Sequence, residues 1–336
     1  KVWSALLSLV ENFYPIAQLQ FLWINGITLR HPDDLKILYT CKNNIKKSWL
    51  AYGNLKYCKI DGLFISEGEK WSERRKMLNP AFSQSLLQIY ARIDEANANR
   101  LIQKLKCEGQ VVVPDVFSMF DKLAFGIVFE AILGINWHEQ ASEERDELIQ
   151  SVKILGEVSL SRSARPYIAN WMMPFLSIGR RQKKAVQFIT YFVDKVVKER
   201  RKRRENEVLS SYQDWKDDNH KEGQRRMAVL DLLFAAEEQN LIDEKGIQEE
   251  VITFIIAGYE TTGASAAFTI LLLAENGEIQ NRARAEVDNV VNQNSGKLTT
   301  VELQKLEYLE RCIKETLRIY SILPLNGRDL ETDKDF

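Results

Sequence analysis

The chain has 336 residues, 45% of them hydrophobic, so one large core is within reach. Its 46 basic and 47 acidic residues give a formal net charge of −1, which argues against a protein built around a polyanion. Cys41, Cys58, Cys107 and Cys312 form no CxxC pair, and His31, His138 and His220 are scattered, so neither a disulfide framework nor a metal cluster is expected.

The opening "KVWSALLSLVENFY" places Trp3, Leu6, Leu7, Val10, Phe13 and Tyr14 at helical spacing with no small-residue cleavage site after it. It reads as an amphipathic surface helix rather than a signal peptide. The chain starts at Lys1 without a methionine and stops at Phe336 in mid-phrase, so both ends read as cuts from a longer protein. "IAQLQFLWINGITLR" holds two strand-like runs separated by Asn25-Gly26, a strong hairpin signal. "HPDDLKIL" then starts a helix with Pro32 in its first turn.

From Trp71 onward helical patterns dominate. They cover 84–107, 116–133, 143–156, 179–206, 227–238, 244–276 and 278–292, and a last helix ends near Ile319. The polar stretch from Asn206 to Arg226 reads as a solvated connection inside one domain. Just before it, "KERRKRR" (Lys198 to Arg204) reads as a charged helix end where cations favour the C-terminal dipole, with a nucleic-acid patch as the alternative.

Between Val251 and Ala274 there is one charge, Glu260, so length alone permits a membrane-spanning helix. The charged flanks "DEKGIQEE" and "ENGEIQNRARAE" favour a helix through the middle of a large core. Within it Ala257 and Gly258 remove side-chain bulk, and Thr261 and Thr262 stand one turn later, which predicts a groove. The Thr261 hydroxyl can bond the Ala257 carbonyl and bend the helix. Glu260 then offers a titratable group to a dry cavity, where burial raises a carboxyl pKa and suits it to proton relay. A Glu paired with a neighbouring Arg is the competing reading.

Two more patterns follow. In "KETLRIY", Glu315 and Arg318 share a helix face among Ile313, Leu317 and Ile319, which suggests burial. In "GEKWSERRKMLNPAF", Trp71 and Arg75 present an indole N–H and a guanidinium together, a combination suited to a carboxylate.

Taken in this order and at these distances, "AGYETT", "ETLR" and the Trp71/Arg75 pair resemble the cytochrome P450 superfamily of haem-thiolate monooxygenases. "DGLFISEGEKWSERRKMLNPAFS", "LEYLERCIKETLRIY" and "LPLNGRDL" are similar to its family-four clan of animal enzymes, which has many insect members. The resemblance spans the chain. It implies one mainly α domain over 1–336, a helical prism with a small β-sheet, lacking an N-terminal anchor and a C-terminal haem-thiolate loop.

The resemblance further implies that Thr261 and Glu260 deliver protons to dioxygen, that Ala257 and Gly258 line the haem groove, and that Trp71, Arg75 and Arg328 bind haem propionates. Glu315 and Arg318 would form a buried structural ion pair whose breakage costs ~3–5 kcal/mol. The helix before Thr261 and the segment 321–326 would line the substrate cavity. The cofactor would be haem b, held non-covalently because Ala257 stands where ester-linked relatives carry a glutamate. The implied setting is the cytosolic face of the endoplasmic reticulum membrane, with a small apolar substrate, dioxygen, NADPH acting through a reductase, and no nucleic acid. Arg74 and Lys76 are candidates for docking that reductase.

Two departures stand out. Ser321 replaces the proline usual after the last helix, leaving Pro324. None of the four cysteines has the required loop setting, so the axial cysteine is expected beyond Phe336 and this chain alone is expected to be inactive. The rival readings are a membrane protein spanning Val251 to Ala274 and a non-catalytic helical interaction protein or pseudogene product.

Overall fold

The computed structural model describes residues 8, 12–21, 24–40, 45–56, 60–107, 115–165, 167–214, 228–294 and 298–330. Of the expected opening helix only positions 8 and 12–14 are among them. The first regular unit is an antiparallel ribbon of β1 (Ile16–Phe21) and β2 (Ile24–Leu29). Asn25-Gly26 is not its turn. Asn25 pairs with Gln20 and Gly26 with Leu19 inside the ladder, whose last pair is Phe21 with Ile24. A full ladder from Ile16–Leu29 to Phe21–Ile24, with Thr28 Oγ1 donating to Ala17 O at 3.1 Å, outweighs the local turn preference.

After α1 (Pro32–Thr40), β3 (Ile45–Lys47) pairs with β4 (Arg328–Leu330), bringing the two ends of the described chain together. Between them lie α2 (Trp49–Lys56), α3 (Gly68–Leu78), α4 (Gln84–Cys107), α5 (Val116–Leu133), α6 (Ser142–Ser163) and α7 (Ser177–Asp214). Then follow α8 (Val229–Glu238), α9 (Glu244–Glu275), α10 (Gly277–Gln293), the short α11 (Thr300–Leu303) and α12 (Glu307–Ile319). The fold is mainly α, with two small ribbons.

Caps explain the well-placed ends. Asp115 accepts from Ser118 N at 2.9 Å before α5, Gly134 closes it at φ +65°, and Asp243 accepts from Gly246 N at 2.8 Å before α9. Two helices outrun their expected limits. α6 continues past Gly156 because Val158 and Arg162 prolong the buried stripe of Leu148, Val152 and Leu155. α7 continues to Asp214, so the first part of the expected solvated connection is helical; positions 215–227 lie outside the described residues.

α9 is the axis of the core. Its stripe Ile247, Val251, Ile255, Tyr259, Gly263 and Ala267 is buried, chiefly against α5. Aromatic packing joins the layers, with Phe125 5.0 Å from Tyr259 and 4.8 Å from Trp137, and Phe129 5.9 Å from Phe192. By length and composition α9 could cross a membrane, yet here it is flanked by α5, α7, α8, α10 and α12.

The basic run on α7 meets acids of α8. Arg200 makes a two-pronged pair with Asp231 (3.1 and 2.9 Å), Arg201 reaches Glu237 at 2.8 Å, and Arg204 reaches Glu238 at 3.0 Å. A helix-to-helix seam accounts for these charges better than a nucleic-acid face.

Candidate functional site

The residue types in "AGYETTGASAA" divide between two faces of α9. Ala257 is exposed, and its carbonyl accepts the Thr261 hydroxyl at 2.8 Å. This is one of a series of back-bonds on α9, since Thr253, Ser265 and Thr269 do the same to Glu249, Thr261 and Ser265. The helix nonetheless runs unbroken from Glu244 to Glu275, so the expected opened turn at Ala257 is not there. The Thr261 proton is committed to the backbone, and its oxygen keeps lone pairs for an incoming donor.

Gly258 is not part of the groove. A Cβ there would lie 2.9 Å from Val128 of α5, and one on Gly263 would lie 3.0 Å from the Asp121 backbone. Both glycines let α5 and α9 approach closely. The expected cofactor role of Gly258 is therefore replaced by a packing role, while Ala257 keeps the open side. Thr262 is exposed.

Glu260 has an open flank, but its carboxylate reaches back toward α6: Oε2 stands 3.8 Å from where a Cβ on Gly156 would be. Burial and then the charge of Asp121 raise its pKa above the usual carboxylate range, and Lys153 opposes them. Asp121 and Lys153 are themselves paired across α5 and α6 at 3.1 Å. Among the described residues no arginine pairs with Glu260; the cation of the cluster is a lysine, held by Asp121. Neither Asp121 nor Lys153 was legible, because each lies more than a hundred residues from Glu260 in an ordinary charged helix pattern.

Trp71 and Arg75 sit one turn apart on α3. Trp71 is 42% exposed, and the exposed Arg75 makes no ion pair or hydrogen bond among the described residues. Their helix is fastened to the start of α9 by its other face. Lys70 Nζ lies 2.8 Å from Asp61 and 3.0 Å from Glu249, and Arg74 Nε lies 4.0 Å from Glu250. Arg74 is therefore not a docking residue: its side chain is 12% exposed and turned inward. Glu250 is fully buried, accepts from Leu63 N at 3.0 Å, and is pushed above the usual range by burial first. Gly62 permits this docking, since a Cβ there would meet Glu249 O at 2.7 Å. From Glu250 to Ala257 is two helical turns, ~10 Å of rise, so Trp71 and Arg75 do not touch the Ala257 face directly.

Arg328 lies in β4 opposite Lys47 of β3. Its guanidinium bonds Asn326 Oδ1 at 2.7 Å and Gly327 O at 2.9 Å, and lies 5.8 Å from the Tyr39 ring centre. Lys47 donates to Leu63 O and Phe64 O, and burial followed by the charge of Arg328 lowers its pKa to about 8. The pairing sets two cations side by side on the ribbon, and Lys47 carries no sequence signal of that placement. Glu67, which precedes α3, accepts from Lys47 N at 3.1 Å and so joins this ribbon to the helix of Trp71 and Arg75.

The Glu315–Arg318 pair exists, with both bonds at 2.7 Å, but it is not buried; the side chains are 54% and 71% exposed. Ile313, Leu317 and Ile319 around it are exposed as well, because among the described residues only Thr316 of α12 is buried against the core. The segment 321–326 is similarly open, with Leu323 66% and Leu325 59% exposed.

The described residues fit the rim of a haem: a bare Ala257 face, an Arg75 side chain without a partner among the described residues beside Trp71, and the adjacent cations Lys47 and Arg328. Among the described side chains the one cysteine, Cys312, is poorly suited to be an axial thiolate. Burial raises the Cys312 thiol, which disfavours the anion a metal would bind. Cys41, Cys58 and the Cys107 side chain lie outside the described residues, and no cluster of three ligating side chains occurs among those described.

Comparison with known proteins agrees with the fold. The chain is 31% identical to mouse cytochrome P450 4V2 and 28% identical to Drosophila simulans cytochrome P450 4d1, over 93% and 92% of its length. It spans 60% and 61% of those two relatives. Its fold matches a solved retinoic acid-bound cyanobacterial CYP120A1 with a TM-score of 0.73 and 18% identity, over 98% of this chain and 67% of that one. The cytochrome P450 family model matches residues 1–336, and the chain belongs to that family, with family-four members among its relatives.

Proposed function

We propose that this chain is the proton-delivery and haem-rim part of a haem-dependent monooxygenase that inserts one oxygen atom of dioxygen into an apolar substrate. The observation that carries the reading is the α9 face: bare Ala257, the Thr261 oxygen bonded to its carbonyl at 2.8 Å, and Glu260 beside them with a raised pKa. Bound haem would supply the iron at which dioxygen is activated. Arg75 and Trp71, with Arg328 and Lys47 on the β3–β4 ribbon, would hold its propionates by charge-assisted bonds.

Glu260 would keep its carboxyl proton to a higher pH than an ordinary carboxyl does, because burial and Asp121 oppose its ionisation. The Thr261 hydroxyl oxygen would accept a hydrogen bond from an incoming water through its free lone pairs. The apolar residues Phe254 and Ile256 on α9, and Leu323 and Leu325 after α12, would take an apolar substrate such as a fatty acid, hydrocarbon, hormone or xenobiotic. Electrons would come from NADPH through a reductase, at the cytosolic face of the endoplasmic reticulum membrane. The axial thiolate would come from residues following Phe336, so this 336-residue chain would bind haem without a thiolate spectrum.

Absorbance titration with haem tests the reading. Arg75→Gln should weaken binding about tenfold, and Ala257→Phe should abolish it by filling the open face. Equal binding by both variants would remove haem from this site. A thiolate-type spectrum from the purified chain would overturn the assignment of the axial ligand.

A further inference from the structure

Lys153 has no role in the monooxygenase reading and Asp121 enters it only as a charge, yet the fold brings both to Glu260. Gly263 stands one turn after Glu260 on α9, and Asp121 Oδ1 of α5 lies 2.8 Å from where a Cβ on Gly263 would be. Gly156 stands one turn after Lys153 on α6, and Glu260 Oε2 lies 3.8 Å from where a Cβ on Gly156 would be. A helical turn rises only ~5.4 Å, so two carboxylates and an ammonium converge where α5, α6 and α9 meet. Lys153 Nζ closes the arrangement by pairing with Asp121 Oδ2 at 3.1 Å.

The three groups differ in how far they are committed. The Asp121 side chain is 13% exposed and that of Lys153 35%, so the acid of their pair is shielded while its cation is reachable from solvent. The Glu260 carboxylate has no hydrogen bond or ion pair among the described residues. The charges that act on it are Asp121 from α5, which adds to burial in raising its pKa, and Lys153 from α6, which opposes both. On α9 itself the Tyr259 hydroxyl is buried with no hydrogen-bond partner among the described residues. Burial, then Glu260 and Asp121, hold the Tyr259 pKa above the usual phenol value, so it stays neutral while the acids titrate. One cation between two carboxylates couples their protonation, because a proton taken by either leaves the cation to the other.

We propose that Asp121 and Lys153 are positioning residues for Glu260, their pair setting how readily that acid releases and regains its proton. This coupling rests on the reading of Glu260 as the proton-delivering acid and supplies its regulation. While Asp121 holds Lys153, Glu260 keeps its proton more tightly. When Asp121 is neutral or absent, Lys153 is left to Glu260 and favours its carboxylate. Lys153 acts by charge alone and touches neither substrate nor cofactor.

The test is labelling of the haem-free chain with a water-soluble carbodiimide, which adds to a protonated carboxyl and leaves a stable N-acylurea there. Peptide mass spectrometry reads the labelled fraction of Glu260 against pH, with the exposed Glu315 in the same digest as reference. The Glu260 midpoint should lie above that of Glu315, whose pairing with Arg318 lowers its pKa. Asp121→Asn should lower the Glu260 midpoint, Lys153→Met should raise it, and Lys153→Arg should restore it, with Glu315 unmoved in all three. A Glu260 midpoint indifferent to either Asp121→Asn or Lys153→Met, a shift of the same sign from both, or a Lys153→Arg value matching that of Lys153→Met would each overturn the proposal. Lys153 is reachable from solvent, so its two variants decide if Asp121→Asn does not fold. No haem enters the labelling: failed haem binding would strike the monooxygenase reading and leave these shifts standing, whereas absent shifts would strike this proposal alone.

Discussion

Glu250 and Glu260 occupy the same helix, and both carboxyls are raised by burial, yet their surroundings give them different work. Glu250 is fully buried, with Leu63 N at 3.0 Å on one oxygen and Arg74 at 4.0 Å from the other. Glu260 has an open flank, with a like charge, Asp121, among its influences and no hydrogen bond to its carboxylate among the described residues. An acid fully enclosed by its own protein serves packing, whereas an acid with a raised pKa and an open side can exchange a proton. Burial alone does not separate the two roles; the freedom of the carboxylate does.

The largest effect should come from breaking the enclosed half. Glu250→Ala leaves Leu63 N without its acceptor and the buried Arg74 without its counter-charge, and should cost about 3 kcal/mol in chemical denaturation. A loss within error would make Glu250 dispensable and undo the contrast. Next comes the helix crossing that carries both acids. Gly263→Val would force a side chain against the Asp121 backbone, at 3.0 Å, and should destabilise by about 2 kcal/mol. Full stability of that variant would mean α5 can retreat.

The pH dependence sharpens the comparison. A carboxyl whose folded pKa is raised contributes stability that is fully present below its unfolded value, ordinarily near 4.5, and is lost as pH rises through the folded value. Stability should therefore fall from pH 4.5 toward neutrality, and Glu250→Gln should flatten that slope, followed by thermal midpoints. An unchanged slope would mean that Glu250 ionises freely. Glu260→Gln should alter the slope less, because its open flank lets water relieve the charge.

The smallest effect belongs to the pair that the sequence suggests is buried. Glu315→Gln should leave the unfolding midpoint of this chain unchanged, because both partners are exposed and salt screens them. A clear drop would mean that the α12 face is covered in solution.

Most of the helical framework was legible before any coordinates, since period and caps are local properties. Gln84–Cys107 and Val116–Leu133 were readable to the residue, and α9 nearly so, from Asp243 at its start and the run of apolar residues within it. Thr261 bonding to Ala257 was likewise readable, because both groups belong to one turn. The Asn25-Gly26 turn was misread for the opposite reason: strand register depends on the whole ladder, and the ladder outweighed a favourable dipeptide. Gly258 was assigned to a groove because a small residue looks the same whether it faces a ligand or Val128.

The sequence by itself determined the helix succession, the motif order that places the chain in its family, and the presence of an acid and an alcohol side by side on the central helix. These are short-range facts, set by spacing and residue type. Only the tertiary structure decided which face each residue serves. It turned Arg74 inward to Glu250 and left Arg75 free, set Lys47 against Arg328 across 281 positions, and put Asp121 and Lys153 beside Glu260. Such pairings join residues with no local signal in common, and their energies depend on burial, which is a property of the packed whole.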